Sequence, residues 1–542
     1  MQEREEINLK DLDLNAQFHR VYDLVENTRD NVFVTGKAGT GKSTFLQYFC
    51  RNTKKKNVVL APTGVAAINV GGQTIHSFFN FKPDTTVDMV SEIRLSRNKQ
   101  KILQEVEVII IDEISMVRAD LLDCIDAALR LHGGNSKKAC AGIQMIFIGD
   151  LFQLPPVVRT KEQSIFQSVY QSPYFFEAKV FRELAMQFVE LDQNYRQQDQ
   201  AFLEVLNKIR NNSINTEELR FLNSRYDPQL KSAAKDFYIY LTTTNELADN
   251  INDARLQAID EESFRFEGEI AGDFEQKNLP TRQDLELKVG AQVMLLNNDQ
   301  ARRWINGSIG KVIAVDEHDG AETTIRVELT DGNRVDVGLF TWELFQFFYD
   351  EETQKIDTEL IGSFRQYPLK LAWAVTIHKS QGKTFDKVII DLGRGTFSHG
   401  QTYVALSRCT SLEGILLKRP ISKRDIILDS RVQDFIQNYQ YEMAERFFPL
   451  EAKKNLIREA IEQRQTLEIV YLKEKGEKHT RRIIPKDFRF VDYEGQKCLG
   501  VEAFCLERQT DWIFRLGCIV EIHVTSSTPE VGKVQSQQEI NL

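Results

Sequence analysis

The chain has 542 residues, 42% hydrophobic and 10% aromatic, which supplies apolar material for several cores and excludes a mainly disordered or fibrous protein. At about 150 residues per domain, three or four domains are expected. Lys and Arg total 69 against 79 for Asp and Glu, a net charge of −10 that neither announces nor forbids a polyanionic partner, because phosphates respond to a local groove.

The start, MQEREEINLK, is charged and no apolar stretch follows it, so no secretory leader is expected. No apolar run approaches the roughly 20 residues of a membrane helix. Seven scattered cysteines without a Cys-x-x-Cys pair read as reduced thiols. A soluble, cytoplasmic protein with no membrane partner is expected. Residues 7–29 carry apolar side chains at helical spacing (Leu14, Phe18, Val21, Tyr22, Val25) and lead into NVFVTG at 31–36. Short apolar runs then alternate with helix-like segments: NVVLAPT at 57–63, EVIIIDE at 107–113 and QMIFIGD at 144–150. A second series follows, FYIYLTT at 237–243, LAWAVTIH at 371–378 and DKVIIDL at 386–392. Such runs predict parallel α/β sheets covered on both faces, hence two α/β lobes, 1–185 and 186–430. Between the series, β-like runs at 285–345 punctuated by NG, DG and GS turns predict a small antiparallel barrel inserted into the second lobe. A helical linker over 431–451 and a β-rich module over 452–525 come next, and the polar tail, 526–542, is expected to be disordered.

GKAGTGKS at 36–43 fits G-x-x-x-x-G-K-[ST] between a strand and a helix start. Gly36, Gly39 and Gly41 let backbone N–H groups turn around phosphate oxygens, Thr40 and Thr44 belong to the same cradle, and the helix N-terminus adds positive potential. Lys42 is placed to reach the β- and γ-phosphates and Ser43 to hold magnesium. IIIDE at 109–113 ends an apolar strand: Asp112 is placed to hold the metal through water, and Glu113 to polarise the attacking water as a general base. These motifs predict an NTPase that uses ATP and magnesium without saying what the energy drives. In GDLFQLPPV at 149–157, Gln153 is placed to sense the γ-phosphate.

The ordered set GKAGTGKST, APTGVAA (61–67), IDEIS (111–115), GDLFQLPPV, NYRQ (194–197), TIHKSQGKTFD (376–386) and YVALSRC (403–409) resembles superfamily 1B helicases, and among them the petite-integration-frequency (PIF) family, over roughly residues 10–430. The resemblance implies two RecA-like P-loop lobes with ATP between them. It also implies a DNA-stimulated ATPase that moves 5′ to 3′ on single-stranded DNA and unwinds duplexes or quadruplexes in genome maintenance. Gln17 matches the family's adenine-reading glutamine, and Arg196 and Arg408 match arginines that neutralise γ-phosphate charge. Gly382 matches a glycine that lets the second lobe approach the nucleotide. Pro62, Thr63 and His76 in the first lobe, and Thr376, His378, Lys379 and Ser380 in the second, match positions that touch the strand. Such residue types suit the task, since hydroxyls bind phosphates and ring faces stack on bases. Phe78, Phe79 and Phe81 read as core, with a strand-separating wedge as the other reading. KKACAGIQ at 137–144 departs from the family, whose members carry an aromatic-and-diglycine string there.

Residues 452–524 resemble a WYL domain, a β-barrel module that in relatives senses nucleic acid or a small ligand; Tyr471, Arg481 and Arg515 are the side chains to test. The expected partners are single-stranded DNA and tailed or structured duplexes, with the chain acting as a monomer. Two other readings stand beside the motor: a RecD-type recombination helicase, disfavoured by the helix-rich signature at 115–130, and a switch in which ATP toggles DNA affinity without processive unwinding.

Overall fold

A computed structural model describes residues 16–158, 162–197, 199–229, 237–276, 279–316, 322–393, 395–472, 478–493 and 496–525. The expected disordered tail and the first turns of the expected opening helix lie outside these residues. The chain divides into two compact units, Met1–Leu428 and Asp429–Leu542.

The first sheet is built from β1 (Asn31–Gly36), β2 (Asn57–Ala61), β3 (Gln73–Thr74), β4 (Val108–Ile111), β5 (Gln144–Ile148) and β6 (Met186–Leu191), in the order β3-β2-β4-β5-β1-β6. Every pairing is parallel. The strands read as continuous apolar runs because both faces are buried. Phe18, Val21 and Val25 of helix Ala16–Asn27 and Phe45, Leu46 and Phe49 of helix Lys42–Asn52 pack against Val32, Val34, Ile110, Ile146 and Ile148. The sequence puts the first lobe's end at 185, yet β6 pairs with β1 from Asn31↔Met186 to Gly36↔Leu191, so this lobe continues at least to Leu191. Edge strand β6 mixes buried and half-buried positions, and no long apolar run marks it.

Two local features hold this lobe together. Asp123, on helix Ala119–His132, accepts hydrogen bonds from the Tyr170 hydroxyl at 2.8 Å, the Lys179 N–H at 3.1 Å and the Val180 N–H at 2.9 Å. Asp123→Ala strands three donors in a buried place and is expected to cost about 3 kcal/mol. A urea midpoint unchanged from the parent protein would contradict that expectation. At the departure from the family pattern, Cys140, Ala141 and Gly142 all have positive φ (48°, 55° and 80°). Two non-glycine residues thus hold the left-handed conformation that glycine adopts freely. The Asp126 carboxylate holds the first of them, accepting from the Cys140 N–H at 2.6 Å.

The second lobe starts its sheet with β7 (Ile239–Thr242). It is interrupted by β8 (Ser263–Glu267), β9 (Glu269–Gly272), β10 (Asp284–Lys288), β11 (Gln292–Leu295), β12 (Ile309–Asp316), β13 (Thr324–Leu329), β14 (Arg334–Val337), β15 (Phe340–Asp350), β16 (Lys355–Gln366) and β17 (Leu369–Leu371), and resumes with β18 (Ala374–Thr376), β19 (Val388–Asp391) and β20 (Ile415–Leu417). The lobe sheet is parallel, in the order β18-β7-β19-β20. The insertion therefore runs from Ser263 to Leu371, wider than the expected 285–345. Its main sheet, β14-β13-β12-β11-β17, is antiparallel, and among the described residues its edge strands β14 and β17 do not pair with each other. Val293, Leu295, Val312, Ile325, Val327 and Leu369 form its core with Leu285 and Leu287 of β10.

The long hairpin β15–β16 is absent from the sequence reading. It reaches the first lobe: the Phe345 carbonyl accepts from Gln73 Nε2 at 2.9 Å, and the Tyr349 N–H donates to Asn98 Oδ1 at 2.8 Å. Phe347 meets Phe78 edge to face at 6.1 Å. Phe78, Phe79 and Phe81 are buried, as the core reading expects.

In the second unit, helices Ser430–Phe447 and Leu450–Glu462 precede β21 (Thr466–Leu472), β22 (Lys478–Tyr493), β23 (Gln496–Cys505), β24 (Thr510–Arg515) and β25 (Ile519–Thr525). These strands form an antiparallel sheet, β24-β23-β22-β21-β25, whose edge strands β24 and β25 do not pair among the described residues. Residues 431–451, expected as a linker, fall inside this unit. Ile457 and Ala460 of the second helix enter its core with Leu467, Ile469, Ile483, Val501 and Ile519. No described helix is long and apolar enough to cross a membrane.

Candidate nucleotide site and strand-facing groups

The loop between β1 and helix Lys42–Asn52 turns at Gly39 and Gly41, whose φ values of 84° and 82° favour glycine. A Cβ on Gly39 would also lie 2.6 Å from the Cβ of Arg196. Thr40 is buried and donates to the Lys37 carbonyl at 2.9 Å, while Ser43 is exposed and Thr44 half-buried in the helix's first turn. Lys42 Nζ donates to the Gly36 and Lys37 carbonyls at 2.7 and 2.9 Å. Burial pulls its pKa down, against the pull of Asp150 and Glu113.

Asp112 and Glu113 follow β4. Burial and the neighbouring Glu113 push Asp112 up to about 7. Burial also raises Glu113, opposed by Lys42 and Arg408. Glu113 sits at φ 50°, a costly conformation for a glutamate and a mark of functional sites. The buried Asp112 carboxylate and the exposed Ser43 hydroxyl are oxygen donors of the kind magnesium takes. Such an ion is held by few protein groups and mostly by phosphates and water. No cluster of three or more His, Cys, Asp or Glu residues suited to a metal occurs among the described residues.

Gln153 donates to Asp150 Oδ2 at 3.4 Å. Asp150 has 0% exposure and pairs with Arg210 at 3.4 Å, and the Arg210 guanidinium lies 3.9 Å over the Phe152 ring. The second lobe closes on this segment at Gly400, where φ is 70° and a Cβ would meet the Phe152 and Gln153 carbonyls at 2.4 and 2.5 Å.

Arg196 lies in the segment after β6, against Gly39, and Arg408 follows helix Gln401–Ser407 of the second lobe. Arg196 Nη1 donates to the Ser407 carbonyl at 3.2 Å. Arg408, 1% exposed, donates to the carbonyls of Val404 (3.0 Å), Ser380 (3.4 Å) and Lys383 (3.3 Å), and to Ser407 Oγ at 3.0 Å. Burial and the nearby Arg196 lower its pKa to about 9. Two guanidinium groups acting on each other favour a negative charge beside them.

Gln17 accepts from the Asp192 N–H at 3.2 Å and follows the chain into Phe18, whose ring a Cβ on Gly41 would meet at 3.0 Å. Gly382 touches no other protein group where a side chain would begin. A Cβ there would meet nothing within 4 Å, so its φ of 79°, not close approach, is what suits glycine.

The residues expected to touch a DNA strand follow the carboxyl ends of parallel strands, where open α/β sheets bind ligands. Thr63 is exposed after β2 and caps helix Gly64–Val70 by accepting from the Ala66 N–H; Pro62 beside it is half-buried. His76 is half-buried on helix Ile75–Phe79. Thr376 and Ser380 are buried: the former hydroxyl accepts from the Lys379 N–H at 3.2 Å, and the latter donates to the Ile377 carbonyl at 2.7 Å. They shape the turn that carries half-buried His378 and exposed Lys379. Burial lowers the His378 pKa.

Three contributors escape the sequence reading. Asn194 Nδ2 donates to the Ala38 carbonyl at 2.8 Å, the Ala38 N–H donates to the Tyr403 hydroxyl at 3.0 Å, and Gln381 Nε2 donates to Glu113 Oε2 at 3.1 Å. Each lies inside a matched string, which is the signal that could have found it. Gln381 supports the ionised form of Glu113, the expected general base, so Gln381→Ala is expected to raise the pKa of that carboxyl further. A general base works deprotonated, and its activity is lost as pH falls through its pKa. The acidic limb of the pH–kcat profile is therefore expected to move to higher pH in that variant; a limb that stays in place refutes the role.

Known proteins resemble this chain over much of its length. The PIF1-like helicase family model matches residues 13–220, and a model for the 2B domain of DNA helicase Pif1 matches residues 269–315. The ATP-dependent DNA helicase Pif1 of Bdellovibrio bacteriovorus is 33% identical over 441 residues, covering 79% of this chain and 93% of that protein. Homo sapiens PIF1 is 34% identical over 398 residues, 71% of this chain and 58% of that one. The crystal structure of Bacteroides Pif1 with ADP-AlF4 superposes with a TM-score of 0.72 at 39% identity, covering 80% of this chain and 98% of that one. Bacteroides Pif1 bound to single-stranded DNA gives 0.57 at the same identity and coverage. The chain belongs to the PIF1-like helicase family.

Proposed function

We propose that this chain is a magnesium-dependent, ATP-driven DNA helicase that moves 5′ to 3′ along single-stranded DNA and unwinds tailed or structured duplexes, acting as a monomer in the cytoplasm. One observation carries the catalytic part. Glu113, after the first lobe's β4, accepts from Gln381 of the second lobe at 3.1 Å, and the charges of Lys42 and Arg408 both act on it. Hydrolysis needs both lobes, so closing and opening of the cleft accompanies each turnover. Relatives named ATP-dependent DNA helicase Pif1, and Pif1 structures holding single-stranded and forked DNA, support the substrate.

Magnesium, when bound, neutralises phosphate charge and orients the β- and γ-phosphates. Lys42 gives up its carbonyl partners to hold those phosphates. Glu113, which Lys42 and Gln381 pull toward its ionised form against the effect of burial, accepts a proton from the attacking water. Arg408 and Arg196 meet the charge that develops on the γ-phosphoryl group. Thr63, His76, His378 and Lys379 are disposed on the two lobes to grip the strand, so a change in lobe separation moves one grip relative to the other. The second unit is proposed as a WYL-like module for nucleic acid or a small ligand. Exposed Trp512, 4.5 Å beneath the Arg508 guanidinium, supports a base-stacking surface there.

The test is unwinding of two partial duplexes, one with a 5′ and one with a 3′ single-stranded tail, with ATP and magnesium. Opening of the 5′-tailed substrate alone is expected. Opening of the 3′-tailed one overturns the polarity, and DNA-stimulated hydrolysis without any opening moves the protein to an ATP-driven switch.

A further inference from the structure

Ala38 lies in the phosphate loop with both backbone groups engaged by residues beyond that loop. Its carbonyl accepts from Asn194 Nδ2, and its N–H donates to the Tyr403 hydroxyl at 3.0 Å. The adjacent Gly39 carbonyl accepts from the Tyr195 N–H at 2.9 Å. Tyr403 is 4% exposed on helix Gln401–Ser407, all seven residues of which are buried and which runs directly into Arg408. The same helix end receives the other arginine, because the Ser407 carbonyl accepts from Arg196 Nη1 and from Gln197 Nε2 at 3.1 Å.

The phenol is thus the side chain of the arginine-bearing helix that touches the phosphate loop. Its oxygen is used as an acceptor, and among the described residues no acceptor takes its proton. Burial raises its pKa, with Asp150 adding to the effect, so the hydroxyl keeps that proton throughout the working pH range. A buried donor without an acceptor is costly. Here it stands at the edge of a loop built to receive phosphate oxygens.

We propose that the Tyr403 hydroxyl reads the terminal phosphate of the bound nucleoside triphosphate and transmits its presence to Arg408, a role that rests on the ATPase reading above. When the loop fills, a phosphate oxygen supplies the missing acceptor. The bridge from the Ala38 N–H through the phenol oxygen and its proton to that phosphate then ties helix Gln401–Ser407 to the nucleotide and fixes Arg408 over it. Loss of the phosphate after hydrolysis removes the acceptor and loosens the tie, which couples product formation to lobe opening.

Tyr403→Phe keeps the ring and removes the hydroxyl. Steady-state ATP hydrolysis with saturating single-stranded DNA is expected to show kcat lowered about tenfold or more and KM within about twofold of the parent, because the tie forms fully only as the lobes close. The parent's change in single-stranded DNA affinity on adding ADP with aluminium fluoride is expected to shrink by a similar factor, while nucleotide-free affinity stays put and the thermal midpoint falls only by what one unpaired Ala38 N–H costs. A kcat within about twofold of the parent overturns the proposal, as does a raised KM at unchanged kcat. A variant that fails to fold overturns it too, since the hydroxyl is then a structural group. Lys42→Ala run alongside separates the two readings. If that variant still hydrolyses ATP, the site assignment itself falls; if it is inactive while Tyr403→Phe is fully active, only the role of Tyr403 falls.

Discussion

Lys42→Ala is expected to lower DNA-stimulated ATP turnover by at least about 10²–10³-fold, the range seen when a single preorganised donor to a developing anion is removed. Its ammonium now rests on the Gly36 and Lys37 carbonyls at 2.7 and 2.9 Å, both in the loop itself. Truncation therefore frees two carbonyls at a cleft that nucleotide and water enter, and no core contact is lost. Nucleotide-free affinity for single-stranded DNA is expected to stay within about twofold, since no strand-facing residue touches this ammonium. Phosphate release and fluorescence anisotropy check the two halves separately. Turnover near that of the parent would remove the loop from the catalytic site.

Arg408→Lys is expected to cost about 10³-fold in turnover, the lower end of what an arginine finger supplies. The swap keeps the charge but not the fork. The guanidinium reaches three carbonyls, those of Val404, Ser380 and Lys383, and the Ser407 hydroxyl. A lysine ammonium has three donors on a flexible stem and cannot span that set. It also desolvates worse, in a place where burial and Arg196 already lower the arginine to about 9. The same carbonyls link the helix Gln401–Ser407 to the turn that carries His378 and Lys379, so DNA stimulation of the residual activity is expected to weaken as well. Circular dichroism melting guards against mere unfolding. Turnover within about tenfold of the parent, in a protein that melts normally, would show that the charge alone suffices and that Arg408 is no finger.

The lobes were legible because parallel strands buried on both faces leave uninterrupted apolar runs. NVFVTG, NVVLA, VIII, QMIFI, IYLT and VIID all lie on strands. Edge and solvent-flanked strands leave weaker marks. β6 mixes buried and half-buried positions, and the hairpin β15–β16 mixes exposed and half-buried positions along its length, so neither stands out from its surroundings. The extent of the insertion was hidden for the same reason.

By itself, the sequence determined the chemistry that spacing can encode. The phosphate loop, the Asp112–Glu113 strand end and the order of the motifs depend on a few residues that must be contiguous to wrap a phosphate or end a strand. The tertiary structure alone decided which distant groups meet that chemistry. Tyr403 reaches Ala38 across 365 residues of chain, Gln381 reaches Glu113 across 268, and Arg210 reaches Asp150 across 60. Such pairings come from the approach of whole lobes, set by core packing and by backbone clearance at Gly400. A single hydrogen-bonding side chain leaves no period in the sequence to announce its partner.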